Sequence, residues 1–449
     1  MGDGVSPAIL PNQVPKSNIE HIAHRLEFLY WGLFLNQAAV IFLLPPEINA
    51  DLSTFYRLVN LCTYAWALLI LYQVLSNYHV LFRRAVRRNG RFRLFPILIG
   101  IVLFGGVQLI FDNRGDTYYH RIAYEVVPML AAGTALAAGG LDTFRQRYLR
   151  MCSFQAPIAG LVAVFVALHW PITGNRGGVG AAHWAALYLS TWIVFPLASL
   201  LILRPSQQVM VLLGAGGYYF LSIAYQSRGS SLILLVLLPA AILVSSGRAG
   251  WLRLPQARRS LGVAMALVIT AGVLAGIRSV NPEALSESLR IGWEGTVNRW
   301  FRGDVQFAGA EESVWIEVEQ SRGMEAREFI EQADWRTWLV GRGWGGGWKS
   351  QTMAGGEDWY IVHFGPLHLV QKGGLGLSVI FMFLLASAVR RSWRAMGYDH
   401  LAPGCFCFLT AYFAAFLKHG PLSHNYEGYT LWLVLGFALS LRTKTLVPR

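Results

Sequence analysis

The chain has 449 residues, of which 54% are hydrophobic and only 14% charged, and its net charge is +13. A soluble enzyme of this size carries about a quarter charged residues, so the composition argues against one. Net basicity in a soluble chain would point to nucleic acid. Here, basic residues retained on one membrane face account for most of it, and no nucleic-acid partner is expected.

The apolar residues come in blocks that match the roughly 20 residues a helix needs to cross a bilayer core. Backbone amides in lipid must bond within their own segment, so the blocks are expected as helices. They are continuous rather than alternating, which argues against a transmembrane β-barrel. The expected fold is all-α: a polytopic membrane protein of about 12 transmembrane helices with one large helical loop. In chain order the helices are expected at 26–44, 55–78, 94–111, 122–140, 152–170, 183–203, 209–226, 230–246, 260–277, 366–389, 402–417 and 428–441. The first follows a polar segment with no cleavage signature, so it is expected to be retained. Residues 1–277 form the first group of helices, 278–365 the large loop or cap, and 366–445 the last group. Leu446-Val447-Pro448-Arg449 matches the remnant of a thrombin tag site. Cys62, Cys152, Cys405 and Cys407 all lie in apolar segments, so neither a disulfide framework nor a zinc site is expected.

The loops set the orientation. One alternating set contains Arg83, Arg84, Arg87, Arg88, Arg91 and Arg93, then Arg145, Arg147 and Arg150, then Arg204, Arg248, Arg253, Arg258 and Arg259, then Arg390, Arg391 and Arg394. With the termini it holds 22 of the 38 basic residues, against six in the short loops of the other side. Positive charge resists translocation, so that set and both termini are expected in the cytoplasm and the large loop outside it. This loop has 14 acidic and nine basic side chains. Segments 281–302 and 311–340 show helical periodicity, and Gly341-Arg342-Gly343-Trp344-Gly345-Gly346-Gly347 is too flexible for a helix. The loop is read as a helical cap over the membrane face.

Arginines stand out on the outer side. Arg228 lies in Ser227-Arg228-Gly229, a break of a few residues between two apolar helices, and Arg176 lies in Gly174-Asn175-Arg176-Gly177. Arg299, Arg302, Arg336 and Arg342 follow in the large loop. A guanidinium donates two parallel bonds to phosphate where an ammonium acts as a point charge. The plainer reading is that many of these arginines neutralise loop carboxylates or meet lipid headgroups. Arg228 differs, because an arginine near the apolar core costs about 2.5–3.5 kcal/mol at the helix centre and less at the interface. An anion there would offset that cost.

Histidine marks a second feature. In His363-Phe364-Gly365-Pro366-Leu367-His368, Pro366 suits a first helical turn. His363 would then precede a helix N-terminus, where the dipole favours a neutral imidazole able to act as a base. His368 and Lys372 fall four apart on one helix face. His424, in Ser423-His424-Asn425, is a rival for the base or for sugar hydrogen bonds. Glu125 is an isolated carboxylate one turn from Arg121, and the loop tryptophans suit either sugar stacking or an interfacial belt. No carboxylate pair is specific enough for a metal, and no cofactor is expected.

Three of these features together resemble the O-antigen polymerase and ligase superfamily, the Wzy-type integral membrane glycosyltransferases. They are Ser227-Arg228-Gly229 between adjacent helices, a large late external loop, and its Gly-rich end followed by His363 and Gly373-Gly374-Leu375-Gly376. The resemblance covers about residues 209–390, and each motif is short. Phe364 stands where the family usually has asparagine, and a His-Asn pair occurs instead at His424-Asn425. Arg336 and Gly347 fit an Arg-x10-Gly spacing typical of the polymerases. The resemblance implies a GT-C-like fold in a bacterial inner membrane. It implies undecaprenyl-pyrophosphate-linked oligosaccharides as substrates, Arg228 stabilising the leaving diphosphate, and His363 deprotonating the acceptor. Arg176, Arg299, Arg302, Arg336, Arg342, His368, Lys372 and His424 would bind substrate. A chain-length regulator and a flippase of the same pathway are its implied partners. A ligase handing the glycan to lipid A-core, and a transporter of lipid-linked sugars, are the alternatives. A metal-dependent polyprenyl-phosphate glycosyltransferase would want acidic residues in a large first external loop, whereas this one is short.

Overall fold

The structure, a computed structural model, describes residues 16–43, 53–111, 132–169, 192–224, 313–343, 346–351, 358–359, 362, 364–419 and 427–443. Of these residues 87% are helical, as the unbroken apolar blocks require. The helices are α1 (Lys16–Leu43), α2 (Ser53–Ser76), α3 (Tyr78–Arg88), α4 (Leu94–Phe111), α5 (Ala132–Gly140), α6 (Asp142–His169), α7 (Pro205–Ala224), α8 (Ser313–Gln332), α9 (Trp335–Val340), α10 (Gly365–Ala395), α11 (Ala402–His419) and α12 (Glu427–Ser440). Asp142–Phe165 and Gly365–Ala395 are long and apolar enough to cross a membrane, and the bent pair α2–α3 makes a third if it is one span. The expected helices at 230–246 and 260–277, the helical segment 281–302 and Glu125 lie outside the described residues.

Two differences from the expected boundaries have a common cause. Helix α6 begins ten residues before the expected position 152, and α3 occupies a stretch expected as loop. Both stretches are rich in arginine, which masks their helical periodicity. In α3, Leu81 and Ala85 are buried one turn apart while Arg83 and Arg87 are exposed, the pattern of an amphipathic helix. It leaves α2 at Asn77 with a bend of 75°. The acidic first residue of α6, Asp142, suits the positive end of a helix dipole.

Close packing rests on small residues. A Cβ on Gly214 would run into the carbonyl of Ala156, and one on Gly217 into that of Gly160, so α6 and α7 meet backbone to backbone. Small residues are what allow such an approach between apolar helices. Gly436 of α12 meets the Ala135 carbonyl of α5 in the same way. Between these contacts Tyr30, Phe144, Tyr148, Phe195 and Phe437 form a connected aromatic core.

One end of the bundle is closed by charge. Arg145 of α6 is 6% exposed. Its guanidinium pairs with Asp142, reaches Asp399 at 3.8 Å and donates to Ser440 Oγ at 3.1 Å. Arg88 of α3 forks onto the same Asp142 and donates to the Gly139 carbonyl at 3.2 Å. Asp399, after α10, accepts the amides of Leu401 at 3.1 Å and Arg442 at 3.3 Å. Removing one member of a buried ion pair strands the other. Arg145→Met is therefore expected to destabilise the protein by about 3–5 kcal/mol, measured by thermal unfolding in detergent. Removal of the exposed Arg204 should leave the midpoint unchanged.

Candidate functional site

The loop segment before α10 holds α8, α9 and a short antiparallel strand pair, β1 (Trp348–Lys349) with β2 (Asp358–Trp359), in the register Trp348 to Trp359. Phe329, Trp348 and Val362 form its own small core, with Phe329 edge-on to Trp348 at 5.8 Å. Asp334 caps α9: its carboxylate accepts the Thr337 amide at 2.8 Å and the Thr337 hydroxyl at 2.7 Å. These bonds, with Arg342 and Arg336 nearby, hold the Asp334 carboxyl below the usual carboxylate range.

Helix α9 lies directly on α10, which is not continuous. Gly373 and Gly374 leave helical geometry, and Gly374 has φ of +71°. Ser378 Oγ donates to the Pro366 carbonyl at 3.1 Å, although residues 12 apart in a straight helix stand about 18 Å apart. The segment 365–372 therefore folds back against the rest of α10. The remaining stretch, 375–395, is still about 30 Å long, enough for a bilayer core. The break is closed by the loop: a Cβ on Gly341 would lie 2.7 Å from the Gly373 nitrogen, and one on Gly374 would overlap the Leu339 carbonyl. Both glycines have positive φ, so no other residue fits either position without strain. The carbonyl end of α9 thus faces the amides at the break, a favourable meeting of opposite dipole ends.

Arg342 holds this junction. Its amide donates to the Gln371 carbonyl at 2.6 Å. Its guanidinium donates to Thr337 Oγ1 at 3.2 Å and to the carbonyls of Gly347 at 3.1 Å and Gln332 at 2.8 Å, and it sits over the Phe329 ring at 5.9 Å. Burial pushes its pKa down, and Asp334 opposes that. Gln371 completes the junction by donating to the Gly346 carbonyl at 3.0 Å. Arg342 was expected to hold phosphate; here every nitrogen of its fork meets an acceptor of the loop itself. Arg336 is exposed and lies over its neighbour Trp335 at 5.4 Å.

His368 and Lys372 lie on the folded-back segment, and both are fully enclosed. Lys372 closes that segment, where a helix C-terminus favours a cation. Arg228, His363, Arg176, Arg299, Arg302 and His424 lie outside the described residues. Sequence reasoning missed Asp334, Thr337 and Gln371. An Asp before a helical run is a readable cap signal, whereas nothing in the sequence marks Gln371. Among the described residues no group of three His, Cys, Asp or Glu side chains is placed to hold a metal.

No protein-family model matches the chain, and no curated protein matches it significantly.

Two outcomes test the junction. Gly374→Ala should cost about 2 kcal/mol or more, from forced positive φ and overlap with Leu339. Thermal unfolding in detergent reads this, with faster proteolysis of 341–347. The depressed Asp334 pKa stabilises the folded form above the ordinary carboxylate range, near pH 4, and that contribution is lost as pH falls through the lower folded value. Hydrogen exchange of peptides covering 335–340 should therefore accelerate on acidification, beyond the intrinsic pH effect. In Asp334→Asn that extra acid response should vanish.

Proposed function

We propose that this chain is a membrane glycosyltransferase that polymerises oligosaccharide repeat units carried on undecaprenyl pyrophosphate. In this reading about 12 helices of GT-C-like arrangement span a bacterial inner membrane, both termini are cytoplasmic, and the 278–365 loop is periplasmic. The observation that carries the reading is the folded-back segment of α10, which encloses His368 and Lys372 beneath the Gly-rich end of the loop. Irregular backbone at membrane depth is tolerated where protein buries it or where it lines a cavity, and discontinuous helices are where membrane proteins bind ionic substrates. The same stretch carries the sequence likeness.

The reaction needs no metal in principle, because pyrophosphate is already a good leaving group. The acceptor sugar hydroxyl attacks the anomeric carbon of the donor glycan. The bond from that carbon to the diphosphate oxygen breaks, and the lipid diphosphate departs with the electron pair. His363 takes the acceptor proton, a contribution of about 10²–10⁴-fold. Arg228 stabilises the departing diphosphate, and Arg176, Arg299, Arg302 and Lys372 add positive charge around it. A chain-length regulator and a flippase of the same pathway would act beside it.

A broken helix also favours a transporter of lipid-linked sugars, which makes that the second reading; an O-antigen ligase is the third. Purified protein in detergent, given lipid-linked single repeats, separates them, since no compartment exists for transport. The polymerase should lengthen the glycan, and Arg228→Ala or His363→Ala should abolish polymer while inserting normally into membranes. Full-length polymer from either variant removes that residue's role. Glycan transfer to lipid A-core alone identifies a ligase, and no product with intact flipping in vesicles identifies the transporter.

A further inference from the structure

Far from the junction, at the other end of α10, two arginines lie by the end of α12. Arg91 lies in the short 3-10 turn Gly90–Arg93 that leads into α4, and Arg391 lies near the end of α10. Asn89, two residues before Arg91, donates to the Leu439 carbonyl at 3.0 Å, so this turn sits beside the same end of α12 that Arg391 reaches. Arg391 donates through Nε to the Leu441 carbonyl at 2.9 Å, which leaves its terminal nitrogens for another acceptor. Arg91 rests over the ring of Phe383 at 5.6 Å. Both side chains are half-buried, and among the described residues neither is paired with a carboxylate. The contrast with Arg88 and Arg145, each tied to an aspartate, is direct.

An apolar track leads away from this pair. Leu375, Val379 and Phe383 recur every four residues along α10, and all are exposed at 42%, 62% and 48%. Ile97 and Phe104 are exposed on α4, at 52% and 55%. The two helices run in opposite directions along this seam, since Arg91 meets Phe383 while Ile101 reaches Gly373. The exposed stripe on α10 is about 12 Å long. Positive charge at one end of an apolar seam is complementary to an anionic lipid.

We propose that Arg91 and Arg391 bind the phosphate headgroup of an anionic glycerophospholipid whose acyl chain lies along Leu375, Val379 and Phe383. The guanidinium forks supply the phosphate contacts, and an anion offsets the cost of half-burying two cations that have no carboxylate partner among the described residues. The lipid would fasten the 3-10 turn before α4 to the end of α10. The inference rests on α10 lying in a bilayer, a premise checked separately by whether the chain resists alkaline extraction from membranes.

The test uses the full chain in detergent, stripped of lipid and offered phosphatidylglycerol or phosphatidylcholine, with retained lipid counted by native mass spectrometry. One phosphatidylglycerol should be retained in preference to phosphatidylcholine. Arg91→Gln should weaken its retention by about fivefold, the worth of one basic residue at a charged surface, and Arg391→Gln should do the same. Arg91 makes no side-chain hydrogen bond among the described residues, so its variant should keep the wild-type melting temperature without lipid. Arg390→Gln, an equal charge change on an exposed neighbour, should have no effect. Equal retention of phosphatidylcholine, or unchanged phosphatidylglycerol binding in Arg91→Gln, overturns the proposal. Displacement by undecaprenyl phosphate at equal concentration also overturns it, and would assign the seam to the substrate lipid.

Discussion

The bundle depends on one buried guanidinium. Arg145 touches Asp142, Asp399 and Ser440, which belong to α6, to the turn after α10 and to the end of α12. Through Asp142 it is also linked to Arg88 of α3. A charge in a low-dielectric setting is costly unless its partners are in place, so the pairings demand one arrangement of elements more than 290 residues apart in sequence. Apolar packing alone is permissive, because one leucine-rich face serves nearly as well as another. The ionic contacts, with Asn89 bonded to the Leu439 carbonyl at 3.0 Å, supply the register that packing leaves open.

With the base of α10 fixed in this way, its other end can depart from regular geometry. The folded-back segment 365–372 forfeits helical hydrogen bonds at the glycine break, and the loop replaces one of them, since the Gln371 carbonyl receives the Arg342 amide; within α10 itself Ser378 donates to the Pro366 carbonyl. The break is a built feature held by α9 rather than a place where the helix simply fails.

Much of this fold was legible in the sequence. The bounds of α4 agree with the expected 94–111, α10 begins around Pro366 as its first-turn chemistry implies, and 341–343 is non-helical as its glycines require. What stayed hidden has specific causes. Arginine-rich α3 looked like a loop because its charges outweigh the quiet spacing of Leu81 and Ala85. The break at Gly373–Gly374 was invisible because glycine is common in membrane helices and is usually harmless there. Arg342 looked like a phosphate ligand because side-chain chemistry is all a sequence offers. That its fork would be filled by the carbonyls of Gly347 and Gln332 depends on where the loop doubles back. The pairing of Arg145 with Asp399 was equally out of reach, since neither residue has a local pattern that names the other.

The contact between Gly341 and Gly374 has a mechanical corollary. Helices that touch through side chains can slip a little, because rotamers yield before backbones do. Here peptide planes press on peptide planes, so there is no compliant layer between α9 and the break. A tilt of α9 would meet the backbone of residues 373–374 before any side chain could yield. The loop therefore bears directly on the short segment that carries Lys372.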